Sequence, residues 1–228
     1  MQLLEAGMGL RAAVIELGRP GSPFRFVLFP MVHVGDPAFY QAVSRRLRDC
    51  DMVVMEGIRG RSRSVSSITR AYHAAKLGRL GLVVQDLDLA SLDVPIVYPD
   101  MDGREFSQGV RALPLRQRLT WWCLAPVLVP TVLLFGTRAV LASHLTLDDD
   151  HGVSARSEGF EEWEALAVDR RDALLIEELA RIHEAHGTAP LRVAVVYGAQ
   201  HMIAVVHTLS ARFGYSPRSA TWLTVFDY

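Results

Sequence analysis

Short apolar runs alternate along the chain with segments whose apolar residues recur every three or four positions, the pattern of strands and helices taken in turn. Arg25 to Pro30 reads as a strand, and Asp36-Pro37 then supplies an N-cap and a proline at the first helical position, with Tyr40, Val43 and Leu47 following at helical spacing. A second strand runs from Asp51 to Met55 and ends on Glu56, a polar loop covers Arg59 to Ser67, and a helix carries Ile68 to Leu80. Leu82 to Val84, ending on Gln85, and Val94 to Tyr98, closed by Pro99-Asp100, are two more short strands, with a helix expected over Arg104 to Leu113. The Asp148 to Gly152 stretch marks an exposed loop before a long helix from about Phe160 to His186. Strand Arg192 to Tyr197, a helix with Val205, Leu209 and Phe213 on one face, and strand Ala220 to Phe226 complete an α/β order.

One segment departs from the alternation. From Trp121 to Phe135 every residue except Thr131 is apolar or proline, with Arg116, Arg118 and Arg138 on its flanks. A membrane-spanning helix needs about 20 apolar residues, and this run is shorter and broken by Pro126 and Pro130. The expectation is a helical apolar insertion over 114–145 within a single 1–228 domain, either packed as a core or lid helix or making a peripheral membrane or homodimer contact through 121–135. At 228 residues, half of them apolar, the chain can bury a sizeable core. A formal net charge of −1 argues against a nucleic-acid partner and leaves a small-molecule or peptide substrate. Cys50 and Cys123 are too few for a disulfide scaffold, and the first residues lack the basic-then-apolar order of a secretory signal, so a cytoplasmic location is expected.

Two stretches repeat one another, VLFPMVHVGD and VAVVYGAQHM, each an apolar run followed by a histidine and a helix start. His33, Glu56, Gln85, Asp100 and His201 each follow a strand closely, and in open α/β sheets the crevice beyond the carboxyl ends of the strands is where ligands bind. Two imidazoles and a carboxylate, His33, His201 and Glu56, are a donor set for a divalent metal ion such as Mn, Co or Zn, which lowers the pKa of bound water toward neutrality and favours hydrolysis. Taken singly, each of these residues also fits a cap or a hydrogen-bonded loop position. Arg171 shares a helical face with Leu175, Leu179 and Ile182, so its guanidinium is directed coreward. There it either grips a substrate carboxylate or carbonyl, orients Glu56 or Asp100, or packs its stem and extends its head to solvent. Gln85, Arg59 and Tyr197, beside the same rim, are expected to touch substrate. Other motifs fail: Gly7 to Ala12 precedes a strand where a dinucleotide loop follows one, and His183-Glu184-Ala185-His186 lacks the spacing of two zinc ligands on one helical face.

Taken in order, VLFPMVHVGDPAFY, DMVVMEGIRG, LGLVVQDLDL, YPDMDGREF, DRRD and VVYGAQHM make the chain resemble the TraB/PrgY/GumN (Tiki-like) family, within the wider group of erythromycin esterases and haem-binding ChaN proteins. The resemblance runs from about Val14 to the Trp222-Leu223 strand and leaves the apolar insertion without a counterpart. It implies an EreA/ChaN-like α/β fold, a central mostly parallel sheet of two related halves with helices on both faces, whose strand ends share one site. It also implies a metal-dependent protease-type activity, with His33 and His201 as the motif histidines, Glu56 as the motif glutamate and Arg171 as the motif arginine. Gly198 and His201 keep the family's glycine, two residues, histidine signature, whereas Pro30 and Met31 stand where the family has glycine and threonine before His33. Three functions remain open: a metal-dependent hydrolase of an amide or ester, with Glu56 or Asp100 as base and Arg171 stabilising the oxyanion; a metal-free hydrolase with His33 as base oriented by Glu56; or a non-enzymatic binding or regulatory protein.

Overall fold

The computed structural model describes residues 2–57, 80–119, 137–145 and 161–228. Its centre is a seven-stranded sheet of β1 (Leu4–Ala6), β2 (Gly9–Gly18), β3 (Arg25–Met31), β5 (Met52–Met55), β7 (Ile96–Val97), β8 (Arg192–Gly198) and β9 (Ser216–Asp227). Strands β3, β8, β5 and β7 are parallel neighbours in that order. β2 pairs antiparallel with β1, β3 and β9, so the sheet is mixed, where the family resemblance implies a mostly parallel one. The reason is local: the connection from Gly18 to Arg25 turns through Gly21 at φ 72°, and so short a link joins only antiparallel strands, whereas parallel ones need a crossover.

Alternation along each central strand sends its side chains into two cores. Phe26 and Leu28 of β3 and Val193, Val195 and Tyr197 of β8 enter one cluster, and Val27, Phe29, Ala194 and Val196 enter the other. Both faces are therefore buried, which accounts for the unbroken apolar runs. On one face lie helix α1 (Pro37–Leu47), through Phe39, Tyr40, Val43 and Leu47, and helix α3 (Arg138–Leu145), through Leu141 and Ala142. On the other lie helix α5 (Arg170–His186), through Leu175, Leu179 and Ile182, and helix α6 (Ala199–Phe213), through Met202, Val205 and Leu209. Asp36 caps α1 by position, with Pro37 at the first helical residue, but its carboxylate pairs with Arg138 at 3.2 Å.

Two predicted elements take a different form. Leu82 to Val84 does not join the main sheet; β6 (Val83–Val84) pairs antiparallel with β4 (Val34–Gly35) in a separate two-stranded ribbon just past His33. The long helix ahead of His186 is interrupted: helix α4 (Glu161–Glu164) passes through a π-helical turn at Ala165–Asp169 into α5. Helix α2 (Gly103–Ala112) starts at Asp102, whose carboxylate accepts the Arg104 and Glu105 N–H groups at 2.7 and 2.8 Å. Its Phe106 and Val110 join Met101, Trp163, Leu166 and Leu174 in a third small core that fixes the start of α5. The helix expected over Ile68 to Leu80, apart from Leu80 itself, and the apolar run 121–135 fall outside the described residues, which contain no helix long and apolar enough to cross a membrane.

Because α5 is held by a fully buried stripe, truncation there should destabilise the whole fold. Leu179→Ala is expected to lower unfolding stability by about 2–5 kcal/mol, read as a lower urea midpoint. A loss below about 1 kcal/mol would mean that α5 does not rest on the sheet.

Candidate functional site at the carboxyl rim of the parallel strands

Parallel register sets the carboxyl ends of β3, β8 and β5 side by side, with Met31 opposite Gly198 and Met55 opposite Val196. Glu56 extends β5 by one residue, its N–H donating to Val196 O at 2.9 Å. His33 lies two residues beyond β3, Asp100 three beyond β7, and His201 in the first turn of α6, three beyond β8. Arg171 and Asp172 come to this rim from the first turn of α5.

Arg171 is the hub. Its Nε donates to Asp100 Oδ1 at 2.9 Å and its Nη2 to Asp100 Oδ2 and Glu56 Oε1, both at 2.7 Å. Side-chain exposure is 12% for Arg171, 14% for Glu56 and 0% for Asp100, so these charges face each other with little water between them. Of the roles read from its helical face, orienting the two carboxylates is the one the geometry shows. Burial pulls the Arg171 pKa down, and the bonds and charges of Asp100 and Glu56 more than reverse that, raising it above the ordinary value. Nη1 carries no hydrogen bond among the described residues.

Glu56 is locked at both oxygens, since Oε2 accepts the Gly198 N–H at 2.6 Å. Burial pushes its pKa up, but the Arg171 guanidinium, then His33 and His201, outweigh that and hold it below 4.5. Gly198 is the N-cap of α6, so the carboxylate also sits at the positive end of a helix dipole. A side chain at Gly198 would crowd this contact, its Cβ falling 3.3 Å from Glu56 Oε2.

His201 is fully buried, and its Nδ1–H donates to Asp172 Oδ1 at 2.6 Å. The carboxylate only accepts, so this bond fixes the tautomer and leaves Nε2 as the acceptor nitrogen, 3.4 Å from Gln200 Nε2 and 4.0 Å from Glu56 Oε1. Asp172 escapes the sequence-based candidates, although its offsets of three and seven residues from Leu175 and Leu179 place it beside the same buried stripe as Arg171.

The remaining candidates divide. His33 is exposed, within electrostatic reach of Glu56. Gln85 lies on the β6 side of the small ribbon, where its N–H donates to His33 O at 2.8 Å. Tyr197, expected on substrate, is instead fully buried; its hydroxyl donates to Pro99 O at 3.3 Å, and its ring meets His201 edge-on. That contact anchors the Pro99-Asp100 corner and gives Tyr197 a supporting place behind His201. Burial foremost raises its phenol pKa far above the usual range. Arg59 falls outside the described residues.

The donors expected for a metal are mostly committed. Both Glu56 oxygens are engaged, and His201 is sealed from solvent with one nitrogen on Asp172. Among the described residues no group of three His, Cys, Asp or Glu side chains is set to hold a metal ion. As arranged, His33, Glu56 and His201 do not by themselves complete a coordination shell. No protein-family model, curated protein or solved structure matches the chain.

The ion cluster makes a linked stability prediction. Removing the guanidinium in Arg171→Met leaves two buried carboxylates unpaired and is expected to cost about 3–5 kcal/mol at pH 7, measured by denaturant unfolding. Glu56 is held below its ordinary 4.5, so its stabilising contribution is complete above pH 4.5 and is lost as pH falls through the lower folded value. Arg171→Met should abolish that acid-side loss, its stability profile flattening or inverting below pH 4.5. An unchanged profile would contradict the pairing.

Proposed function

We propose that the chain is a hydrolase of the TraB/Tiki-like type, cleaving an ester or amide (peptide) bond of a small-molecule or peptide substrate by histidine acid–base chemistry. One observation carries this reading: an exposed imidazole, His33, lies in the field of a carboxylate, Glu56, that Arg171 and the Gly198 N–H hold ionised. A base at the solvent side of a rim, backed by a fixed negative charge, is suited to taking a proton from water.

In this scheme His33 removes a proton from water as the water oxygen attacks the substrate carbonyl carbon. Glu56, within electrostatic reach, stabilises the imidazolium that forms. The carbonyl oxygen gains negative charge and is met by Arg171 Nη1, the guanidinium nitrogen without a bond to Glu56 or Asp100. As the carbonyl carbon–leaving group bond breaks, the proton on His33 passes to the departing oxygen or nitrogen, giving a carboxylic acid and an alcohol or amine. His201, closed off from solvent, acts through Glu56 as a positioning residue, and Asp172 holds its tautomer.

A metal-dependent second reading keeps one supporting observation. A metal-bound histidine characteristically donates its other N–H to a carboxylate, as His201 does to Asp172, and Glu56 Oε1 lies 4.0 Å from the opposite ring nitrogen. His201, Glu56 and His33 would have to move from the arrangement described to hold the ion, which would supply Lewis acidity.

The test is hydrolysis of p-nitrophenyl acetate and of a fluorogenic peptide set by protein purified without chelator, with its metal content measured. Activity that survives chelation and falls 10²–10⁴-fold in His33→Ala is the expected result. Activity abolished by chelation and restored by manganese, cobalt or zinc would transfer the reading to the metal. Full activity in His33→Ala would overturn both.

A further inference from the structure

The antiparallel ribbon that carries His33 supplies that residue with a partner of its own. Val34 pairs with Val84 and Gly35 with Val83, and the ladder continues one step outward, the Gln85 N–H donating to His33 O at 2.8 Å. His33 and Gln85 therefore face one another directly across two strands, and such residues project to the same side with Cβ atoms about 5 Å apart. At the end of the Gln85 side chain, Oε1 is buried and accepts no hydrogen bond among the described residues. Buried acceptors in native proteins are almost always satisfied, so an orphan marks a position where a donor is due. The His33 ring, exposed and without a hydrogen bond among the described residues, carries such a donor.

We infer that Gln85 is a positioning residue for His33: its Oε1 accepts a ring N–H of His33, selecting one imidazole tautomer and leaving the other nitrogen as the proton acceptor. Strand pairing sets the two residues opposite one another, and rotation of the exposed ring about its side-chain bonds is the movement that would close the contact. The arrangement parallels that of Asp172 and His201, with a neutral carboxamide at the open histidine where a carboxylate serves the closed one. A neutral partner fixes the ring without adding a second negative charge beside Glu56. Gln85 is thereby assigned to His33, and not to substrate contact. The inference rests on the reading of His33 as base, but its test does not need turnover.

The experiment is a long-range nitrogen–proton correlation spectrum of the histidine side chains in uniformly 15N-labelled protein at pH 8 with chelator present, His33 being assigned from His33→Gln. Native protein should show His33 in a single tautomer. Gln85→Leu should give a mixture of both, and Gln85→Glu, which restores an acceptor, should return one form. If Gln85→Leu does not fold, Gln85→Asn withdraws the same group by one methylene and should likewise give the mixture. On the hydrolysis assay, Gln85→Leu should lower kcat about 5–20-fold with KM unchanged, and Gln85→Glu should recover most of it. A His33 signal identical in native protein and in the Leu or Asn variant would overturn the inference while leaving hydrolysis by His33 standing. A tautomer that responds as described in a protein without hydrolytic activity would instead sink the functional reading alone.

Discussion

A single guanidinium, taken out of water between two carboxylates, is the interaction on which the rest of the molecule turns. Arg171 satisfies Asp100 with a two-pronged contact and Glu56 with the remaining hydrogen of Nη2, and neither acid has another cation bonded to it among the described residues. Charges buried in this way are tolerated only when paired and hydrogen-bonded, so their positions are tightly constrained. The helix that presents Arg171 is fixed by Leu175, Leu179 and Ile182 against the sheet, and its first turn by the small core around Phe106 and Leu166. Gly109 contributes there by lacking a side chain, because a Cβ at that position would collide with Leu166. Adjacent residues on a helix point about 100° apart, so Arg171 reaches Glu56 and Asp100 while Asp172 reaches His201. The π turn immediately before them adds a residue to the helix and sets that angular phase.

Topology supplies the other half of the constraint. Four parallel strands bring their carboxyl ends to one rim, and His33, Glu56, Asp100 and His201 all lie within three positions of those ends. Glu56 then has two imidazoles within electrostatic reach, in different surroundings. His201 is sealed and tied to Asp172, whereas His33 is open to solvent. The division follows from burial, since a side chain closed off from water cannot meet a substrate without rearrangement.

The rim was readable because a strand end followed by a polar residue is a local pattern, and His33, Glu56, Asp100 and His201 all belong to it. Arg171 was readable for a similar reason, standing on an apolar helical stripe where a charge demands a partner. What escaped is non-local. Whether Leu82 to Val84 joins the main sheet or a separate ribbon depends on which edge remains free, and β7 already occupies the edge of β5. The antiparallel side of the sheet depends on β9, which extends from Ser216, well before the apolar stretch that marks its end. Asp172 is unremarkable until α5 and α6 are set side by side, and Tyr197 looked like a rim residue although its alternation sends it into the core beneath.

The pairing of Arg171 with Asp100 is the claim everything else needs, and a double-mutant cycle reads it directly. Unfolding free energies would be measured for the native chain, Arg171→Met, Asp100→Leu and the double variant at pH 7. The expected result is strong non-additivity, a coupling of about 2–3 kcal/mol or more, with the double variant recovering much of the stability lost in either single one. Losses that simply add would show that the two side chains do not meet, and the site built around them would fall.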